Sequence, residues 1–179
     1  LYFGLTSGAC VLTAQYWGKK DTRTIEKVMG MSFRISILAG IVFAAAAFFF
    51  PYQLMRIFTT DEAVIAAGIS YLKIVAFSYV LSAFTNVYLN IIRSIEQVVI
   101  ATIVYGTSLA ANIILNAIFI FGLFGAPAMG AAGAALGTLC SRAVEVVIVV
   151  FYAVKINHVV KIRFKDWFVK DKALAKDFF

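Results

Sequence analysis

Asn112, Asn116, Arg142 and Glu145 are strongly polar residues set in runs that are otherwise apolar. Asn112 and Asn116 stand four residues apart and, with Ser108, mark one stripe of a helix. A carboxamide both donates and accepts hydrogen bonds, so this stripe can tie helices together. It can equally coordinate a cation through oxygen or hydrogen-bond a substrate. Neither amide can carry a proton. The deep carboxylate of the apolar runs is Glu145, and Arg142, three residues before it, can meet it on one helix face. Thr138 and Ser141 extend that strip. An unpaired charge at such depth costs several kcal/mol, so mutual neutralisation is one reading of the pair and a gating or proton-transfer role the other. A second stripe, Tyr79, Ser82, Asn86, Asn90 and Arg93, recurs at three- and four-residue spacing and marks a side that faces protein or water.

Other chemistry is not signalled. The sequence contains no HExxH, CxxC or P-loop pattern, and its one histidine, His158, lies in a charged segment. Cys10 and Cys140 sit in apolar runs, where lone thiols act as small hydrophobes, so no disulfide framework and no metal cluster is expected. Without paired catalytic groups the residues do not describe an enzyme, and no cofactor is expected. Gly130, Gly133 and Gly137 among alanines are the kind of stripe that lets a second helix approach closely.

The elements that carry these residues must be membrane helices. Of 179 residues 63% are apolar and 14% charged, and the mean hydropathy is +0.93, far from the composition of soluble domains. No charge occurs from Gln97 to Ser141, a run about twice the ~20 residues that one helix needs to cross the hydrocarbon. The apolar runs predict about five spans, near residues 1–16, 33–50, 70–92, 98–122 and 130–154. Pro51 closes the second, a short loop leads to Asp61 and Glu62, and the uncharged turn LFGAPAM separates the last two. The expected architecture is an all-α, polytopic helix bundle.

Orientation follows from Lys and Arg. Of 16 such residues, 13 fall in the segments after the first, third and fifth spans: Lys19, Lys20, Arg23, Lys27, Arg34, Arg93 and seven from Lys155 onward. Positive loops stay cytoplasmic, which explains the net charge of +7 better than nucleic-acid binding does and places the N-terminus outside. Trp17 fits an aromatic belt. The first run, without a basic region before it, reads as the tail of a helix, so a preceding span and a six-helix unit are expected. Residues 157–179 carry nine charged side chains among Trp167 and several Phe and read as a cytoplasmic linker or interfacial helix.

Two strings carry a family resemblance. QYWGKKD, Gln15 to Asp21, with Gln15, Tyr16 and Gly18 at a cytoplasmic helix end, resembles a motif of multidrug and toxic compound extrusion (MATE) transporters. NIILNAIFIFGLFGAPAMGAAGAALGT, Asn112 to Thr138, followed by SRAVE, resembles the fifth helix, outer turn and start of the sixth helix of that family. The resemblance implies that residues 1–156 are helices two to six of an N-terminal six-helix lobe. Residues 157–179 would lead to a second lobe of the same protein.

It further implies a two-lobed antiporter of the cell membrane that expels drugs, toxins or organic cations in exchange for Na+ or H+, by alternating access. Its partners would be the lipid bilayer, a small amphipathic or cationic substrate and the second lobe, with no nucleic acid. The resemblance places a cation or substrate site at Asn112 and Asn116, where some members have an Asn and an Asp, so that Asn116 stands in place of the acid. Asn86 and Thr138 are further candidate lining residues, and Na+ at Asn112 and Asn116 is the candidate metal. A flippase of lipid-linked saccharides from the same superfamily, and a membrane scaffold that transports nothing, are the competing readings.

Overall fold

The computed structural model describes residues 2–157 together with 159 and 160. The expected linker beyond them, with Trp167, and also His158 lie outside the described residues. Helices run over Tyr2–Gly18 (α1), Thr22–Phe49 (α2), Pro51–Arg56 (α3), Glu62–Ser94 (α4), Val98–Phe121 (α5) and Gly130–Lys155 (α6), with a 3-10 turn at Leu123–Gly125. No strand occurs among the described residues. By length and composition α2, α4, α5 and α6 can cross a membrane. The apolar side chains exposed along them, among them Leu38, Phe77, Ile113 and Val147, are what helices facing lipid require.

Three boundaries differ from the hydropathy reading. Helix α2 starts at Thr22 rather than near Phe33, because Asp21 caps it: the Thr24 amide and hydroxyl donate to the Asp21 carboxylate at 3.1 and 2.6 Å. The Arg23–Glu26 ion pair at 2.9 Å supports its charged first turns. Hydropathy registers only the part of a helix inside the hydrocarbon. Likewise α4 begins at Glu62, with Asp61 accepting from the Ala63 amide at 2.9 Å. The expected loop after Pro51 is instead the short helix α3, which proline starts readily because its φ is already helical. The last two spans agree closely with α5 and α6.

The chain divides into two compact units. One holds the described residues up to Leu38, Ala83–Val104 and those from Val146 onward; the other holds Ala39–Ser82 and Tyr105–Glu145. In the first, Ile25, Met29, Phe33, Leu89, Ile91 and Ile92 are buried, and Phe33 stacks on Phe84 with centroids 5.0 Å apart. Fully buried Tyr88 accepts a hydrogen bond from the Asn157 amide at 2.9 Å, and Asn157 Oδ1 in turn accepts the Val159 and Val160 amides. In the second, Phe48 meets Phe77 edge-on at 5.8 Å. There too α6 presses against α5: a methyl group on Gly133 would collide with the Phe119 carbonyl, and one on Gly137 with the Asn116 side chain.

Gly130 does not share the packing role expected of all three glycines. Space beyond it is open, and its φ of +54 makes it the left-handed residue at the start of α6.

Candidate functional site

The second unit gathers polar side chains of α5 and α6 into one network. Glycine at 137 leaves room for the Asn116 side chain, which stands where a Cβ would be. With the helices that close, the Asn112 amide reaches across to the hydroxyls of Thr138 at 3.4 Å and Ser141 at 3.3 Å. The Asn116 amide donates to Asn112 Oδ1 at 3.1 Å, one turn along α5. The Thr138 and Ser141 hydroxyls themselves donate hydrogen bonds to the carbonyls of Ala134 and Thr138, at 3.0 and 2.8 Å. Asn116 Oδ1 is buried and has no hydrogen-bond partner among the described residues.

Deeper along the same helices lies the ion pair. Arg142 Nη1 approaches Glu145 Oε2 to 2.5 Å, and the Ser108 hydroxyl donates to the same oxygen at 2.9 Å. Glu145 is fully buried, whereas the Arg142 side chain is 35% exposed; Glu145 Oε1 has no hydrogen-bond partner among the described residues. Tyr105, Ser108, Asn112, Thr138, Ser141 and Arg142 line a cleft of about 270 Å³. Such a cleft can admit a polar group and offer it amide, hydroxyl and guanidinium contacts. For a cation, the oxygen donors at hand are the Asn112 and Asn116 carboxamides and the two hydroxyls, neutral oxygens of the kind that suit hard ions.

Asn86 is not in this unit. It belongs to the first, where its carbonyl accepts the Asn90 amide at 2.7 Å, while Arg93 donates to Asn90 Oδ1 and the Cys10 thiol donates to the Asn90 carbonyl at 3.6 Å. The long stripe read on this helix is thereby divided, with Tyr79 and Ser82 in the second unit.

Gln15, Tyr16 and Gly18 close α1. Tyr16 packs against Ala9, Leu12, Val28 and Met31, and the Lys19 ammonium stands 5.5 Å from its ring centroid. Gln15 and Gly18 are exposed. The helix stops through Lys20, in the left-handed conformation at φ +59, with the Lys20 and Asp21 amides returning to the Trp17 and Tyr16 carbonyls. Gly18 is thus not the left-handed residue, and a side chain there would meet open space.

Sequence reasoning missed Tyr105, which lines the cleft three residues before Ser108. Its spacing from Ser108 and Asn112 was the available signal, hidden because tyrosine also reads as apolar. The buried hydroxyls of Thr13 and Ser36, without a hydrogen-bond partner among the described residues, were also missed.

The family model described as MatE matches residues 1–118. Over 155 residues the chain is 26% identical to "Probable multidrug resistance protein YoeA" of Bacillus subtilis, an alignment covering 87% of this chain and 34% of that protein. Over 135 residues it is 26% identical to "Probable multidrug resistance protein NorM" of Bacillus cereus, covering 75% and 30%. Its fold matches a multidrug resistance MATE family transporter of the MOP superfamily in an outward-facing conformation, with TM-score 0.88 and 24% identity over 99% of this chain and 39% of that one. An inward-facing conformation matches with TM-score 0.87 and the same identity and coverage. The chain spans about a third of the length of the curated relatives it matches.

Proposed function

We propose, from the premise that this chain belongs to the MatE family, that it forms most of the N-terminal lobe of a cation-coupled antiporter that exports drugs, toxins or organic cations. Residues 1–156 supply helices two to six of that lobe, and residues 157–179 lead on the cytoplasmic side to a second lobe. The protein resides in the cell membrane, with the ends of α1, α4 and α6 at its cytoplasmic face, where the basic residues gather. It performs no covalent chemistry.

One observation carries this reading: the cleft of about 270 Å³ lined by Asn112, Thr138, Ser141 and Arg142 between helices that are otherwise apolar. Polar side chains in a membrane bundle are costly to keep and mark solute and ion paths. In the proposed cycle the two lobes rock about a midplane site, and the α5–α6 network holds either the solute or the coupling ion. Na+ or H+ drives the exchange. The neutral carboxamides of Asn112 and Asn116 suit a metal ion, whereas H+ requires a carboxylate, for which Glu145 is the candidate in this lobe. The names of the relatives favour multidrug export over the saccharide flippase.

The test uses the full-length protein in cells loaded with a rhodamine dye. The wild type lowers retained dye, and the double substitution Asn112→Ala with Asn116→Ala reduces efflux while membrane insertion persists. Unchanged efflux would remove the proposed site. Replacing Na+ by K+, and separately collapsing the proton gradient, identifies the coupling ion.

A further inference from the structure

Within the second unit α2 and α4 enclose an apolar groove of about 260 Å³. Ala44, Ala45, Phe48 and Phe49 line it from one face of α2, and Ala76 and Phe77 from α4. The alanines are its sunken floor, with Ala76 buried, whereas Phe49 and Phe77 are exposed and form its rim. Phe48 and Phe77 meet edge-on with centroids 5.8 Å apart. The rim therefore stands too close for another helix, about 10–12 Å across with its side chains, to reach the alanines. A single hydrocarbon chain is narrow enough.

The end of the groove nearest α3 carries cations. Lys73 precedes Ala76, Phe77 and Val80 by three, four and seven residues, which places it on the groove face of α4 one turn closer to α3, and it is exposed. Helix α3 lies against the start of α4, with its Met55 side chain beside Gly68, and it ends at exposed Arg56. The acids of this end, Asp61 and Glu62, stand at the start of α4, about 16 Å further out than Lys73 along the helix axis at 1.5 Å per residue. Lys73 is thus the charge that borders the apolar groove. We propose that the groove binds an anionic phospholipid of the bilayer, with one acyl chain lying on Ala44, Ala45 and Ala76 and the phosphate at Lys73. A long lysine side chain near a helix end reaches the headgroup level, where an anionic lipid answers its charge. Lipid tails are as apolar as the groove, so the chain is held by close contact with its walls and the lipid is selected by the phosphate. The inference goes beyond the exporter reading and does not depend on it.

The test uses purified full-length protein, stripped of lipid in detergent and titrated with dioleoyl phosphatidylglycerol or dioleoyl phosphatidylcholine, with bound lipid counted by native mass spectrometry. The wild type is expected to bind phosphatidylglycerol about fivefold more tightly than phosphatidylcholine, the worth of one basic residue at a membrane surface. Lys73→Gln, an exposed position that the fold tolerates, should abolish that preference. Ala45→Phe places a ring on the groove floor and should weaken both lipids by about fivefold, equivalent to some ten lost carbon contacts. Val147→Phe, on an exposed face of α6, should change neither.

A wild type that binds the two lipids equally overturns the inference, as does a preference that survives Lys73→Gln. Should Ala45→Phe lower the melting temperature while lipid binding stays at the wild-type level, another part of the full-length protein fills the groove and the inference is equally overturned. Dye efflux is not read in this experiment, so a failed exporter reading leaves the lipid site standing, and a failed lipid site leaves the exporter reading untouched.

Discussion

The Ser108 hydroxyl on α5 donates to Glu145 on α6 at 2.9 Å, joining residues 37 positions apart in the chain. The oxygen that receives it is the one Arg142 approaches to 2.5 Å, so one atom serves both the ion pair within α6 and the tie between helices. The other oxygen, Glu145 Oε1, is buried and has no hydrogen-bond partner among the described residues. A carboxylate held this way fixes the rotation of α6 against α5 and, with it, which side chains face the cleft.

Removing Arg142 alone should therefore harm the fold more than neutralising both partners. Arg142→Gln is expected to cost about 2 kcal/mol, the value for a broken buried pair discounted because the arginine is partly solvated. Adding Glu145→Gln should restore most of that loss. Ser108→Ala should cost about 1 kcal/mol. Thermal unfolding of the purified protein in detergent measures all three, and equal losses in the single and double variants would show that the pair is not coupled.

Three glycines should respond differently to alanine. At Gly133 the new methyl meets the Phe119 backbone, which cannot step aside, so α6 must move away from α5; a loss of about 1 to 3 kcal/mol is expected. At Gly137 it meets the Asn116 side chain, so the smaller cost should fall on the Asn116–Asn112 hydrogen bond and show in dye efflux before it shows in stability. At Gly18 the space is open, and yield and melting temperature should stay at wild-type values. A Gly18→Ala protein that fails to fold would mean that this glycine meets a surface outside the described residues.

The turn between α1 and α2 should be sensitive to acid. Hydrogen bonds from the Thr24 hydroxyl and amide hold the Asp21 carboxyl below its usual value of 3.8. A depressed carboxylate contributes stability that is present above the unfolded value and lost as pH falls through the folded one. Asp21→Asn keeps a capping side chain but removes the charge. The wild type should therefore melt higher than the variant at neutral pH, and the gap should close as pH drops below about 3.8. A gap that persisted at lower pH would place its origin in packing instead.

Much of the fold was legible along the chain. The charge-free stretch from Gln97 to Ser141 is resolved into α5 and α6 at the expected turn, since about 20 apolar residues both cross the hydrocarbon and satisfy their own backbone as a helix. The i,i+3 spacing of Arg142 and Glu145 put them within reach before any packing was known. The start of α2 was not legible from hydropathy, because Asp21 and Thr24 act through hydrogen bonds rather than apolarity.

Composition and local spacing by themselves determined that the chain is a set of membrane helices, where most of them turn, and which polar residues share a helical face. Only the tertiary structure decided that Ser108 is the partner of Glu145, that Tyr105 joins the cleft lining, that Asn86 belongs to the other unit, and that Gly133 and Gly137 pack while Gly130 turns. The physical reason is range. A helix in a membrane closes its hydrogen bonds within four residues, so its existence is written locally. Which stripe meets which depends on how two helices rotate and how closely they approach, and that is settled by side chains far apart in the chain.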